Sequence, residues 1–149
     1  MTESANNEDL VMVQTYEIEA GNFTLAGEAA SNIKKLLRQL GIDAKIVRKV
    51  SIAAYEAELN MVIHSLGGIM RLEITPKEIV LKARDDGPGI EDIELAMQEG
   101  YSTATELARE LGFGAGMGLP NIKRCSDKLH LQSKLGLGTY LEARFFCNP

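Results

Sequence analysis

Hydrophobic and polar residues follow two different periods along this chain, and these periods divide it into strands and helices. Alternation with a period of two predicts a strand, whereas apolar residues three or four positions apart predict the buried face of a helix. On that basis we expect five strands, over residues 11–18, 69–75, 78–84, 128–133 and 139–146. We also expect four helices, over residues 23–40, 44–65, 91–99 and 119–126.

The two longer predicted helices carry clear apolar stripes. The stripe of the first consists of Leu25, Ala29, Ile33, Leu36, Leu37 and Leu40. Its opposite, solvated side carries Lys34, Lys35 and Arg38, which could also meet an acidic partner. The stripe of the second consists of Ile46, Val50, Ala53, Ala54, Ala57 and Met61. Gly41 is a natural stop for the first helix, and Asp43 can cap the second.

Turn residues connect the predicted strands in pairs. Thr75–Glu78 has proline at its second position, and Leu135–Gly138 is rich in glycine, so each is expected to close a hairpin. These elements predict an α+β fold, a two-layer sandwich of helices on a mixed, largely antiparallel sheet of about five strands. The polar, acidic residues 1–10 are expected to form a disordered tail, and residues 11–149 a single domain.

Composition narrows the class of protein. The 149 residues are 45% hydrophobic and 25% charged, which is typical of a soluble globular domain. A net charge of −5 without a basic block makes direct nucleic-acid binding improbable, and no apolar run is long enough to span a membrane. Cys125 and Cys147 form no C-x-x-C pair, which fits a reducing cytoplasm.

A glycine-rich stretch is the first candidate for chemistry. Gly112, Gly114, Gly116 and Gly118 run into Leu119–Lys123, which opens the last predicted helix. Glycines before a helix N-terminus can cradle a phosphate, because the backbone approaches closely and offers free N–H groups; a mobile surface linker is the alternative. A P-loop is disfavoured because no Lys-Ser or Lys-Thr pair follows, and a Rossmann loop because the stretch comes late in the chain.

The second candidate lies in the helix predicted over residues 44–65. Glu56, Asn60 and His64 are spaced i, i+4 and i+8 and therefore share one face. The amide oxygen of Asn60 suits Mg²⁺ beside phosphates, and Glu56 could accept a proton from a nucleophile. An ordinary amphipathic helix is the alternative. We expect Glu58 to be solvated or at an interface, and His64 to be a partly buried histidine rather than a catalyst.

The third candidate follows a strand. Asp86 opens D-G-P-G, and a carboxylate at a strand end could accept a hydrogen bond from the exocyclic amine of adenine; a plain Asx turn is the alternative. Thr139 follows Gly138 at the start of the last strand, and its hydroxyl could reach the same base.

These motifs occur in an order that resembles a known family. E-x-x-x-N on a helix, D-x-G-x-G after a strand, G-x-G-x-G-[LM] before a helix and G-T in a hairpin resemble the GHKL, or histidine-kinase-like, ATPase superfamily. With its short length and the sequence GMGLPNIKR, the chain most resembles the branch of anti-sigma regulatory factors and switch-protein serine kinases. The resemblance spans residues 11–146 and implies a Bergerat-type ATP-binding fold.

The resemblance also implies a role for each matching residue. Asn60 would bind Mg²⁺, Glu56 would be the catalytic base, and Asp86 would contact adenine with support from Thr139 and with Gly89 packed near the base. The backbone that wraps the phosphates would come from Gly114, Gly116, Gly118 and Leu119. Arg109, in a lid formed by residues 100–116, would be a γ-phosphate contact.

The function implied by the resemblance is that of an ATP- and Mg²⁺-dependent serine/threonine kinase in the cytoplasm. Its substrate would be an antagonist protein of the anti-anti-sigma type, with a sigma factor as a further partner, and the branch suggests a homodimer. The alternative is a catalytically silent module that binds a protein partner under the control of ATP and ADP.

Overall fold

Five strands and three helices form the part of the chain that the structure describes. The structure is a computed structural model and describes residues 10–64, 67–87, 97–98 and 118–147. In chain order the elements are β1 (Met12–Ile18), α1 (Glu28–Gln39), α2 (Ala44–His64), β2 (Gly68–Ile74), β3 (Glu78–Asp85), α3 (Gly118–Cys125), β4 (Lys128–Lys134) and β5 (Gly138–Phe146). Apart from residues 97–98, the predicted helix 91–99 and the predicted lid 100–116 lie outside the described residues.

The strands form one sheet in the order β1-β2-β3-β5-β4. Every described pair is antiparallel, so the α+β sandwich is confirmed, with a more uniform sheet than the mixed one expected. The turn predicted between β2 and β3 is also present, since the Thr75 N–H donates to the Glu78 carbonyl oxygen at 2.9 Å. Such tight connections favour antiparallel neighbours, because a parallel pair needs a long crossover.

The hydrophobic core lies between one face of the sheet and the helices. Alternate residues of each strand point to this face, as the period of two requires. The most deeply buried core residues from strands are Met70, Leu72, Ile79, Leu81, Ala143 and Phe145, and those from helices are Ile33, Leu37, Val50, Ala53, Ala54 and Ile122. Among the described residues, no helix is long and apolar enough to cross a bilayer.

The first helix is shorter than its sequence pattern predicts. It begins at Glu28 rather than Phe23, because Gly27 has φ of 96° and this left-handed conformation cannot continue a helix backwards. Leu25 and Leu40 therefore lie beyond the helix and are 51% and 38% exposed. The start of α2 agrees with its prediction, since the Asp43 carboxylate accepts the Lys45 N–H at 2.9 Å.

The opposite face of the sheet carries a ladder of ion pairs. Glu73, only 1% exposed, accepts from Arg71 Nε at 2.7 Å and from Lys82 Nζ at 3.1 Å. Arg144 pairs with Glu142 across 3.6 Å and also with Glu78. Arg71, Lys82 and Arg144 are thus each paired with a carboxylate of the same face.

Candidate functional site

The helix α2 presents Glu56 and Asn60 on one face, as their spacing of four predicts. Both side chains are half-buried. Within the described part of the chain, neither makes a hydrogen bond or an ion pair with another residue. Two polar groups are therefore held at the surface of the helix layer, and the described residues do not use their hydrogen-bonding capacity.

Gly118 brings the start of α3 against these two side chains. A Cβ at Gly118 would lie 3.1 Å from Asn60 Oδ1 and 3.2 Å from Glu56 Oε2. A side chain at this position would crowd the space directly in front of both polar groups, which the glycine leaves open. The first turn of a helix has unbonded N–H groups, so backbone donors, an amide and a carboxylate meet at one place. Leu119 is half-buried and Pro120 buried in this first turn, where a proline is tolerated.

Burial raises the pKa of the Glu56 carboxyl group above its ordinary value of 4.5. The cause is desolvation, which disfavours the charged form. A carboxylate with a raised pKa holds a proton more strongly, so Glu56 is a better general base here than an exposed glutamate would be.

At the end of β3 the two neighbouring carboxylates, Asp85 and Asp86, lie in different environments. Asp86 is exposed, and its own N–H is donated to the Gly67 carbonyl oxygen at 3.2 Å. Asp85 is half-buried, and its Oδ1 accepts the N–H of Gly87 at 2.9 Å and that of Thr139 at 3.2 Å. Burial raises the pKa of Asp85 above 3.8, although these two N–H groups partly oppose the rise.

The sequence also contains a pattern that favours Asp85, although the prediction from the sequence names Asp86. D-x-G-x-G begins at Asp85 and continues through Gly87 to Gly89, whereas Asp86 opens only D-G-P-G. The strand period gives the same answer, because Asp85 shares the helix-facing side of β3 with Leu81 and Ala83. Asp86 lies one residue beyond the strand.

The start of β5 packs closely against Asp85. Gly138 has φ of 115°, and a Cβ there would collide with the Asp85 carbonyl oxygen, so only glycine allows the two strands to come this close. Thr139 then pairs with Asp85 in the sheet, and its hydroxyl lies 3.1 Å from the Ser133 hydroxyl. The structure therefore places Thr139 next to an aspartate, but the aspartate is Asp85.

The candidate residues lie at the same end of the fold. Asn60 is one turn from the end of α2, and the chain then enters β2 at Gly68, whose sheet partner is Asp85. Asp85 ends β3, and Gly118 begins α3. Asn60, Asp85 and Gly118 therefore all come from the ends of elements.

Several predicted site residues lie outside the described residues: Gly89, Arg109, Gly114 and Gly116. Their roles stay predictions. His64 is the last residue of α2.

The expectation for Glu58 is wrong. Its side chain is buried, with 3% exposed, and its two oxygens accept the N–H groups of Gly27 at 2.9 Å, Ala29 at 3.2 Å and Ala30 at 2.9 Å. The first N–H groups of a helix lack partners within the helix, and a carboxylate satisfies them while opposing the positive end of the dipole. Glu58 therefore caps α1 from the neighbouring helix.

Comparisons with known proteins agree with this architecture. A family model described as a histidine kinase-like ATPase domain matches residues 21–145. The serine/threonine-protein kinase RsbT of Bacillus subtilis is 30% identical over 114 residues, which cover 74% of this chain and 80% of that protein. An anti-sigma F factor of Clostridium kluyveri is 32% identical over 118 residues, which cover 76% of this chain and 80% of that protein. A chain from the crystal structure of the SiaB–SiaC complex of Pseudomonas aeruginosa has a TM-score of 0.56 at 16% identity, over 92% of this chain and 90% of that one.

The fold and the family match together show that this chain is an ATPase-type α+β domain, in which helices cover one face of an antiparallel sheet. The chain belongs to the histidine kinase-like ATPase family. Its relatives confirm the branch, since they are a serine/threonine kinase and anti-sigma factors. The structural match, at its low identity, supports the fold alone.

Proposed function

We propose that this chain, with residues 11–149 as one domain, is an ATP- and Mg²⁺-dependent serine/threonine kinase that acts on an antagonist protein. The observation that carries the proposal is the packing of the helix-opening Gly118 against Glu56 and Asn60, where a Cβ would lie 3.2 Å from Glu56 Oε2 and 3.1 Å from Asn60 Oδ1. A phosphate group at this place would contact backbone donors, an amide oxygen and a carboxylate at once. Those are the groups that phosphoryl transfer needs for positioning and for proton acceptance.

For the nucleotide base we assign Asp85. Its Oδ1 is held by two backbone N–H groups, so its position is defined, and the second oxygen can accept from the exocyclic amine of adenine. Thr139 supports the same place from β5. The phosphates would then extend towards Gly118 and Leu119, with Gly114 and Gly116 preceding them in the chain.

The residues fit a magnesium ion bound together with the nucleotide. Asn60 Oδ1 faces the place beside Gly118, and the described residues contain no group of three or more acidic, histidine or cysteine ligands. Mg²⁺ commonly takes only one or two protein oxygens when phosphate oxygens and waters complete its shell, so Asn60 would hold it. The ion supplies neutralisation of the phosphate charge when bound.

Glu56 would act on the substrate hydroxyl. As the hydroxyl oxygen bonds to the γ-phosphorus, the bond from that phosphorus to the bridging oxygen breaks, ADP leaves, and Glu56 takes the hydroxyl proton. Its raised pKa suits this role. Phosphorylation would add about −2 charges to the partner, enough to weaken an interface.

The relatives suggest the partners. An antagonist of the anti-anti-sigma type is the proposed substrate, and the name of the anti-sigma F factor suggests a sigma factor as a second partner. A homodimer and a cytoplasmic location complete the proposal.

Labelled ATP tests the proposal directly. We expect transfer of the γ-phosphate to a serine or threonine of the antagonist, loss of at least about a hundredfold in rate in Glu56→Gln, and retained ATP binding in that variant. Glu28→Gln, an exposed glutamate of α1, is the matched control and should transfer normally. Binding of ATP without transfer would favour the catalytically silent module, and no ATP binding would refute both functions.

A further inference from the structure

The central helix α2 exposes a strip between its two neighbours. On one side, Tyr55 lies against Gly27 at the start of α1, where a Cβ would be 3.1 Å from the ring. On the other side, Glu56 and Asn60 face Gly118 of α3. The exposed residues between these contacts, spaced three or four apart, are Lys45, Arg48, Lys49, Ile52 and Tyr55. We call this set the α2 ridge.

The α2 ridge leads into the candidate site. Ile52 precedes Glu56 by one helical turn, so a partner lying along the ridge would meet the carboxylate directly. Ile52 and Tyr55 are 38% and 40% exposed, which gives the ridge an apolar part next to the site and a basic part farther away. This combination is typical of a protein-binding surface.

The charges of the helix layer are opposite in sign to those of the whole chain. The three described helices contain eight lysines and arginines and three glutamates, although the chain has a net charge of −5. All eight basic side chains are exposed, whereas Glu56 and Glu58 are not. The helix layer is therefore a basic surface on an acidic protein, and it should attract an acidic partner.

The basic residues of the ridge are not explained by internal ion pairing. On the open face of the sheet, Arg71, Lys82 and Arg144 each pair with a glutamate. Within the described part of the chain, no acidic side chain pairs with Lys45, Arg48 or Lys49.

Helix stability does not explain them either. Lys45 lies in the first turn of α2, and no acidic residue accompanies it there. The helix dipole disfavours a cation at this end, so Lys45 stands where stability alone would select an acidic residue.

A bound nucleotide is too far away to require these charges. Arg48 lies twelve residues before Asn60, which corresponds to about 18 Å along the helix axis. Phosphates held at Asn60 and Gly118 do not reach that distance. Ile52 and Tyr55 further favour a protein over a nucleic acid, because nucleic-acid surfaces are contacted mainly through phosphates.

We propose that the α2 ridge is the docking surface for the protein substrate, whose acidic side chains and an apolar residue would flank the acceptor hydroxyl. The acidic residues would contact Lys45, Arg48 and Lys49, and the apolar residue would cover Ile52 and Tyr55. The acceptor hydroxyl would then lie at Glu56. This inference rests on the proposed kinase function, of which it specifies the substrate.

The test uses labelled serine peptides of one sequence in acidic, neutral and basic versions, each with a leucine beside the serine. The acidic peptide should bind the wild-type protein at least about tenfold more tightly than the basic one at low salt. Lys45→Glu with Arg48→Glu should reverse this order, leave the Kd for ATP within about twofold, and leave Tm unchanged or higher. Ile52→Gln should weaken both charged peptides without changing the order.

The matched control is Lys77→Glu with Lys134→Glu, which changes net charge equally at two exposed positions outside the helices. It should keep the preference for the acidic peptide. The inference is overturned if the wild type shows no charge preference, if the preference survives in the ridge variant, or if a short DNA duplex competes better than the acidic peptide. Failure of the proposed kinase function would be distinguishable, because the acidic peptide would then bind to the ridge but receive no labelled phosphate.

Discussion

At the scale of single residues, environment separates side chains that are chemically identical. Asp85 and Asp86 are neighbours, but Asp85 faces the helices and is held by two N–H groups, whereas Asp86 is exposed. Glu56 and Glu58 differ in the same way, since Glu56 faces Gly118 and Glu58 caps α1. The two helix positions are 200° apart around α2, so two residues of separation reverse the direction of the side chain.

The first prediction uses this contrast at the end of β3. Asp85→Asn should raise the Kd for ATP about 10- to 100-fold, because it replaces a charge-assisted hydrogen bond to the base with a weaker one. Isothermal titration calorimetry measures the change. Asp86→Asn is the control and should stay within about twofold; a larger loss in Asp86→Asn than in Asp85→Asn would restore Asp86 as the base-binding residue.

The second prediction concerns pH and Glu56. Since burial raises the pKa of Glu56 above 4.5, the rate of transfer should fall on the acid side with a midpoint above that value. The raised pKa also means that ionised Glu56 costs stability, a cost that appears as pH rises through the pKa of the folded state. Glu56→Gln should therefore be at least as stable as the wild type at pH 7 while losing transfer, which pH–rate profiles and urea unfolding measure. If the residual activity of Glu56→Gln still fell at acidic pH with the same midpoint, the titration would belong to another group.

At the scale of elements, the site depends on how the three helices are fixed to one another. Glu58 joins α2 to the first turn of α1, and Gly118 allows α3 to pack against the opposite side of α2. Both contacts connect residues far apart in sequence. The face that carries Glu56 and Asn60 is thereby held between two neighbours.

The third prediction is that Glu58→Ala lowers the free energy of unfolding by about 2–4 kcal/mol. The substitution leaves the N–H groups of Gly27, Ala29 and Ala30 without their acceptor and opens a space in a buried region. Chemical denaturation monitored by circular dichroism measures the change. Glu28→Ala, at an exposed position in the same turn, should cost less than about 0.5 kcal/mol; equal losses in the two variants would contradict the capping role.

At the scale of the whole molecule, charge is distributed unequally between the two faces. In the helix layer, no described acidic side chain pairs with Lys45, Arg48 or Lys49, whereas on the open face of the sheet Arg71, Lys82 and Arg144 pair within a ladder that includes buried Glu73 and Glu142. Buried charges are tolerated only when they are paired, so the ladder stabilises β2, β3 and β5 as one unit. The helix layer, which carries the candidate site, thus presents basic residues outside this ladder.

The fourth prediction tests this ladder. Glu73→Ala should cost about 3–5 kcal/mol, because Lys82, itself mostly buried, would lose its closest carboxylate. Glu17→Ala, an exposed position of β1 on the same face, should cost less than about 0.5 kcal/mol. Thermal and urea unfolding of both variants provide the comparison, and a small loss in Glu73→Ala would mean that the charges are satisfied by water instead.

The sequence by itself determined the five strands, the presence of three helices, the α+β class and the family, because hydrophobic period, turn residues and motif order are local properties of the chain. It also identified Glu56, Asn60, Gly118 and Thr139 as candidates, whose spacing on a helix or position at a turn can be read directly. Only the tertiary structure decided that α1 begins after Gly27, that Glu58 is a buried cap and that Asp85, held by the Thr139 N–H, lies on the helix-facing side of the sheet. These depend on which distant backbone groups lack partners and on which face of a strand meets the helices, and neither is encoded by local spacing alone.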